Sequence, residues 1–167
     1  MREGFTTERL QAEPLDRSHE AELAVLHADE RVMAMMGGVG TAAETRDWVE
    51  RNVHHGEEAG LGIFVIRLRS TGGFVGRGAL RRIEIGGRQE VEVGYALAAE
   101  HWGRGLATEM ARGLVAYAES HGLVDLIAYA EPTNAASRRV MEKVGFVYER
   151  DVEHHGRPQV VYRRRQG

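Results

Sequence analysis

The sequence predicts an α/β domain, an antiparallel meander followed by a strand, helix, strand crossover, and three features carry that reading. Three β-type runs, Gly62 to Leu68, Phe74 to Ile85 and Glu90 to Leu97, are separated by the turn pairs Gly72-Gly73 and Gly86-Gly87. Leu106, Met110, Leu114 and Tyr117 then recur every three or four residues, the spacing of one helix face. Between these blocks, His101-Trp102-Gly103-Arg104-Gly105-Leu106-Ala107-Thr108-Glu109 joins a strand-like run to a strongly helical one through two close glycines.

In chain order, Leu10 to Leu15 alternates weakly as a first strand, and Ser18 opens a helical stretch through Ala21, Leu23, Leu26 and Ala28. Arg31 to Gly40 follows no clear period, and Met33, Met35 and Met36 precede its glycine-rich break. Thr41 with Glu44 three residues on forms a capping box, which predicts a helix from Ala42 to about Glu58. Gly94 interrupts the last meander strand and marks either a bulge, the close approach of a backbone or ligand, or a packing gap filled by a neighbour. Gly122 stops the long helix, Leu126 to Ala130 is a short strand, and Pro132 breaks it. Asn134 begins a helix that sends Ala136, Val140 and Val144 toward a core and ends at Gly145. Phe146 to Glu153 and Gln159 to Arg163 close the chain as a hairpin.

The 167 residues suit one domain, 1–167, with no composition shift or linker to divide them. No apolar run approaches the roughly 18 residues of a bilayer span, and Met1-Arg2-Glu3-Gly4 lacks the apolar core of a signal peptide, so the expectation is a cytoplasmic protein with no membrane partner. The net charge of −3 gives no nucleic-acid footprint, and Arg163-Arg164-Arg165 reads as a solvated tail. With no cysteine, there is no disulfide, thiolate metal site or thiol nucleophile. His54-His55 and His154-His155 point to different sides of the chain and show no third ligand, which places them in loops or on the surface and predicts no metal.

The glycine segment ahead of Leu106 reads as an anion cradle. A helix start presents amides without intrahelical partners, its macrodipole favours negative charge, and glycine lets the backbone approach a phosphate. No Gly-Lys-Ser or Gly-Lys-Thr follows, which excludes a P-loop. Gly103 and Gly105 satisfy part of a dinucleotide fingerprint, with Asp125 near the spacing of the ribose-binding acid. Thr108 takes the third glycine, however, and too few residues follow for a doubly wound sheet.

Trp102 to Glu109 following Val93-Gly94-Tyr95-Ala96-Leu97, then Asn134-Ala135-Ala136-Ser137-Arg138-Arg139-Val140-Met141-Glu142-Lys143-Val144-Gly145-Phe146, resembles the GNAT superfamily of acyl-CoA-dependent N-acetyltransferases. The opening Thr7-Glu8-Arg9-Leu10 extends the likeness to the branch containing ribosomal-protein N-terminal acetyltransferases. Trp102 stands where the family pattern has Gln or Arg, and Gly105 and Ala107 match its later positions.

The resemblance implies a mostly antiparallel central sheet flanked by helices and splayed between the fourth and fifth predicted strands. It also implies that amides from Gly103 through Arg104, Gly105, Leu106 and Ala107 to Thr108 hold the diphosphate of acetyl-CoA, the cosubstrate. Arg104 adds charge or is simply solvated. Amides of Val93, Gly94 and Tyr95 face the thioester carbonyl, and Asn134 contacts the pantetheine arm or caps its helix. Glu92 is the candidate base, with Glu90 in reserve; its alternative is a solvent-facing partner of Arg81 or Arg82.

Met141 occupies the place of the tyrosine that protonates the leaving thiolate in many relatives, so the acid role passes to Ser137 one turn earlier. Its alternative is a serine bonded to nearby backbone. Trp48 and the methionine cluster cover the acceptor site or belong to the core. The implied activity is acetyl transfer to a primary amine, a small molecule or a protein N-terminus, by direct attack in a ternary complex, with a homodimer left open. The alternative is a catalytically silent acyl-CoA sensor, the reading that Met141 favours.

Overall fold

The computed structural model describes residues 3–54 and 61–166. Eight strands form one sheet in the order β1-β2-β3-β4-β5-β6-β8-β7. They are β1 (Phe5–Thr6), β2 (Leu10–Pro14), β3 (Gly62–Leu68), β4 (Phe74–Ile85), β5 (Arg88–Leu97), β6 (Asp125–Ala130), β7 (Val147–His154) and β8 (Arg157–Arg165). The helices are α1 (Glu20–His27), α2 (Glu30–Met33), α3 (Ala42–Val53), α4 (Leu106–Ser120) and α5 (Ala135–Lys143). All neighbouring strands run antiparallel except β5 and β6.

That parallel contact is confined to Glu92 opposite Ile127, so the two strands part beyond it, as the resemblance implies. Alternation assigns the sheet's faces. Phe64, Leu80, Val93 and Leu97 pack with Met110 and Leu114 of α4 and Met141 of α5 on one face. Ile63, Val65, Ala79 and Ala96 pack with Leu23 and Leu26 of α1, Val32 and Met33 of α2 and Val49 of α3 on the other. The opening between β5 and β6 therefore connects the two helical layers.

Local chemistry sets the ends. Thr41 and Glu44 close their reciprocal box ahead of α3, which is helical to Val53; the rest of its predicted length reaches residues outside the described ones. Asp16, rather than Ser18, caps the turn before α1. Gly145, at φ +93°, follows α5.

Two expectations are corrected. β4 and β5 pair without a register shift, so Gly94 is not a bulge. The Arg163 to Arg165 run is not a tail: Arg163 lies in β8, buried, and its guanidinium joins Glu90, Glu149 and Asp125 at 2.6 to 2.8 Å. Arg164 pairs with Glu119 and donates to the Val144 carbonyl. Three carboxylates from three strands draw Arg163 inward, because a buried cation is tolerated only with such partners.

Candidate active site

The start of α4 is held from outside the helix. Glu109 in its first turn accepts from the Thr7 hydroxyl, the Arg9 amide and the Arg9 guanidinium, and Arg9 also donates to the Arg104 carbonyl. The opening Thr7-Glu8-Arg9 thus fastens the segment before α4. Gly103 and Gly105 take φ of +77° and +75°, left-handed conformations that suit glycine. Gly105, the N-cap, has no side chain to close the helix end. The first intrahelical bond runs from the Glu109 amide to the Gly105 carbonyl, and the amides of Leu106, Ala107 and Thr108 precede it without a backbone partner among the described residues.

These residues border a cleft of about 580 Å³ on the α4 and α5 side of the sheet. Trp102, Gly103, Gly105, Leu106, Ala107 and Thr108 line it with Tyr95, Asn134 and Ser137. Trp102, half-exposed, is fixed by its indole N–H on the Leu97 carbonyl at 3.0 Å. The Arg104 side chain is exposed and outside the lining; Arg31, Arg139 and Lys143 supply the cationic side chains there.

A second cleft of about 350 Å³ lies on the α1 to α3 side. Its floor follows the β4 and β5 register: Arg77 opposite Ala96, Ala79 opposite Gly94, Arg81 opposite Glu92. Glu92 is 6% exposed, and its Oε2 accepts from Arg81 at 2.9 Å. Its Oε1 lies only 2.9 Å from where a Cβ on Gly94 would stand. The glycine leaves room for this oxygen over the cleft floor, so the space at Gly94 is a packing gap filled by a neighbouring side chain and not the close approach of a backbone. Glu90 belongs to the Arg163 cluster and does not line the cleft.

Tyr95, Asn134 and Ser137 line both clefts, as do Met35 and Met36. Asn134 caps α5 by accepting from the Ser137 amide at 3.1 Å. The Ser137 hydroxyl meets the Tyr95 hydroxyl at 3.2 Å. Burial raises the Tyr95 phenol above its ordinary value while the Ser137 bond opposes the rise, so the phenol keeps its proton at neutral pH. Met141, one turn after Ser137 in α5, is buried and also borders the second cleft. Val93 lines the second cleft alone.

Sequence reasoning passed over several of these groups. Tyr95 entered only through its amide, yet its hydroxyl reaches α5. Tyr129 lines the second cleft, its phenol pushed up to about 12 by burial and then by the Glu92 charge. Arg139 and Lys143 were visible only as polar helix positions. Arg77 was not named, although it shares a face with Arg81 and Glu92 through the strand period of two, which was the available signal. His154 ends β7, half-buried, whereas His155 is exposed in the turn that follows, as expected of a loop residue; both line the second cleft, with their rings 4.0 Å apart. His54 follows α3, and His55 lies outside the described residues. Trp48 and Met35-Met36 border the cleft, whereas Met33 is core.

Beneath the second cleft, the Arg77 Nε–H donates to Nε2 of His27 at 3.0 Å, which leaves the His27 proton on Nδ1 for Thr45 Oγ1, also at 3.0 Å. Burial first, and the Arg77 charge second, pull His27 down to about 4. As pH falls from about 6.5, the unfolded chain takes up a proton here that the folded chain refuses until about pH 4. Stability is therefore lost across that window, by on the order of 2 kcal/mol. His27→Gln, which preserves an acceptor for Arg77, is expected to flatten this part of the pH dependence in urea denaturation. An unchanged slope between pH 6.5 and 4 would show that His27 is not its source.

A model of the acetyltransferase (GNAT) domain family matches residues 9–147, from β2 through α4 and α5 to the start of β7. The chain belongs to this family of acetyltransferases. It is 30% identical over 151 residues to the uncharacterized protein YkkB of Bacillus subtilis (strain 168), covering 90% of this chain and 88% of that one. An acetyltransferase structure from Agrobacterium tumefaciens strain C58 is similar at a TM-score of 0.85 and 26% identity, over 99% of this chain and 96% of the other. RimL, a ribosomal L7/L12 alpha-N-protein acetyltransferase solved in complex with coenzyme A, shares the fold at a TM-score of 0.81 and 19% identity, over 98% of both chains. No helix among the described residues is long and apolar enough to cross a membrane.

Proposed function

We propose that the chain transfers an acetyl group from acetyl-CoA to a primary amine by direct attack in a ternary complex, at the opening between β5 and β6. The observation that carries this reading is the meeting of two clefts at Tyr95, Asn134 and Ser137, with Glu92 on one side of the sheet and the Tyr95–Ser137 pair on the other. The first cleft fits coenzyme A: the uncapped start of α4 suits a diphosphate, and Arg31, Arg139 and Lys143 add positive charge. Bound there, acetyl-CoA supplies an activated acyl group. The RimL acetyltransferase found with coenzyme A has this fold, and its α-amino acceptor supports an amine here.

Glu92 Oε1 takes the proton of the attacking amine, directly or through water, while Arg81 holds the other carboxylate oxygen. Stabilisation of negative charge on the carbonyl oxygen falls to amides of the Val93 to Tyr95 segment, which follows the contact of β5 with β6. Ser137 gives its proton to the departing thiolate, and the Tyr95 phenol, which replaces that proton, regains its own from solvent in the clefts it lines. Base and acid thus sit on opposite faces, so a proton leaves the amine on one side as the sulfur gains one on the other.

Initial rates with both substrates varied are expected to give intersecting double-reciprocal lines across a panel of primary amines. Parallel lines, or an acetylated enzyme seen by mass spectrometry on the reaction path, would overturn direct attack. Ser137→Ala and Tyr95→Phe are each expected to lower kcat about tenfold or more with little change in the KM for acetyl-CoA. Unchanged kcat in both would move the acid elsewhere, and coenzyme A binding without turnover of any amine would favour the silent sensor.

A further inference from the structure

The second cleft carries a cation that the acetyl-transfer reading leaves unused. Arg81 is matched by Glu92, whereas Arg77 is 8% exposed, spends its Nε–H on neutral His27, and lies over the Trp48 ring at 4.9 Å. Among the described residues no carboxylate pairs with it. A buried cation without an anion is costly unless something supplies one. Burial, with the Arg81 charge next, lowers Arg77 to about 10 against a smaller opposing pull from Glu92, which is already bonded to Arg81, so Arg77 remains charged at neutral pH. Its two terminal nitrogens are left for the cleft that it lines.

Position supports a ligand role. Ala79 and Gly94 form a small-residue floor, flanked by Arg77 one strand period away on one side and by the Arg81–Glu92 pair one period away on the other, about 7 Å each way. Met35, Met36, Gly37, His155 and Arg157 border the cleft, and a Cβ on Gly37 would stand 3.9 Å from the Arg157 guanidinium. The loop after α2 and the β7–β8 turn thus meet at its rim. A cleft of about 350 Å³ is at the small end of the usual range for small-molecule sites.

Resting on the acetyl-transfer reading above, we infer that the acceptor is a small primary amine bearing a carboxylate, which docks on Arg77 while its amine faces Glu92. A planar guanidinium with two free terminal nitrogens matches a carboxylate in two-pronged geometry. A polycation placed in the same cleft would bring a second positive charge against Arg77.

The test compares matched acceptors on the whole enzyme: amino acids, their carboxamides, and the amines left by decarboxylation. The carboxylate members are expected to have at least tenfold higher kcat/KM, chiefly through KM, although the less basic carboxamides have the larger free-amine fraction. Arg77→Met should erase that preference and Arg77→Lys should retain part of it, with coenzyme A affinity and melting temperature confirming that each variant is folded. Calorimetric titration of the same compounds into enzyme saturated with coenzyme A makes the comparison without turnover. Preference for carboxamides, polyamines or peptide N-termini over the carboxylates, in rate or in binding, would overturn the assignment. Carboxylate binding that depends on Arg77 without turnover of any amine would instead overturn the transfer reading and leave the subsite standing.

Discussion

Glu92→Gln is expected to lower kcat by about 100- to 10,000-fold, the range that a positioned general base contributes. The two carboxylate oxygens have different tasks. Oε2 is committed to Arg81 at 2.9 Å, and Oε1 stands over the Gly94 floor where the amine must arrive. Glutamine has nearly the same shape and can still offer Arg81 an oxygen, but its amide cannot serve as the base. The KM for acetyl-CoA should hardly move, because the cleft proposed for coenzyme A lies on the other face and Glu92 is not part of its lining. Some stability should be lost as the half-buried Arg81 loses its counter-charge, so melting temperature and coenzyme A titration must accompany the rates. Gly94→Ala approaches the same atom differently: its methyl would displace Oε1, and kcat should fall with the carboxylate still present. Near-normal kcat in Glu92→Gln would remove Glu92 as the base and reduce it to a structural partner of Arg81.

Much of the architecture was legible because it is written in local signals. The Thr41 and Glu44 box, the glycine after α5 and the paired glycines between β3, β4 and β5 each act over a few residues, and each falls where expected. The two-residue β1 and the four-residue α2 are too short to show a period, and tertiary packing holds them: Phe5 meets Phe64 edge to face and Tyr117 at a tilt, and Val32 and Met33 join the core on the α1 side of the sheet. The segment before α4 was recognisable from its glycines, but its fastening by Thr7 and Arg9 depends on partners about a hundred positions away. Arg163 and Arg77 show the same limit with opposite outcomes. Both look like surface arginines in sequence; one is buried among three carboxylates, and the other is buried beside a neutral histidine. Nothing local to either residue distinguishes the two. Glu92 and Ser137 could be named in advance, whereas the Tyr95 hydroxyl that joins Ser137 became visible only when β5 was laid against α5.

Thr108→Asp should move stability and ligand affinity in opposite directions. Thr108 is the third residue of α4 and lines the cleft proposed for coenzyme A. A carboxylate in the first turn interacts favourably with the helix macrodipole, by about 0.3–1 kcal/mol, so the folded protein should melt no lower than the parent. The same charge would occupy the potential offered to the diphosphate and repel it. For unit charges about 5 Å apart near a protein surface this repulsion is about 3 kcal/mol, more than enough for a tenfold weaker Kd. Calorimetric titration with coenzyme A and a thermal melt on one sample read both effects, and adding salt should recover part of the lost affinity. Because the helix is strengthened by the substitution, weaker binding could not be ascribed to unfolding. An unchanged Kd would place the diphosphate away from α4 and take with it the orientation of the thioester toward Glu92.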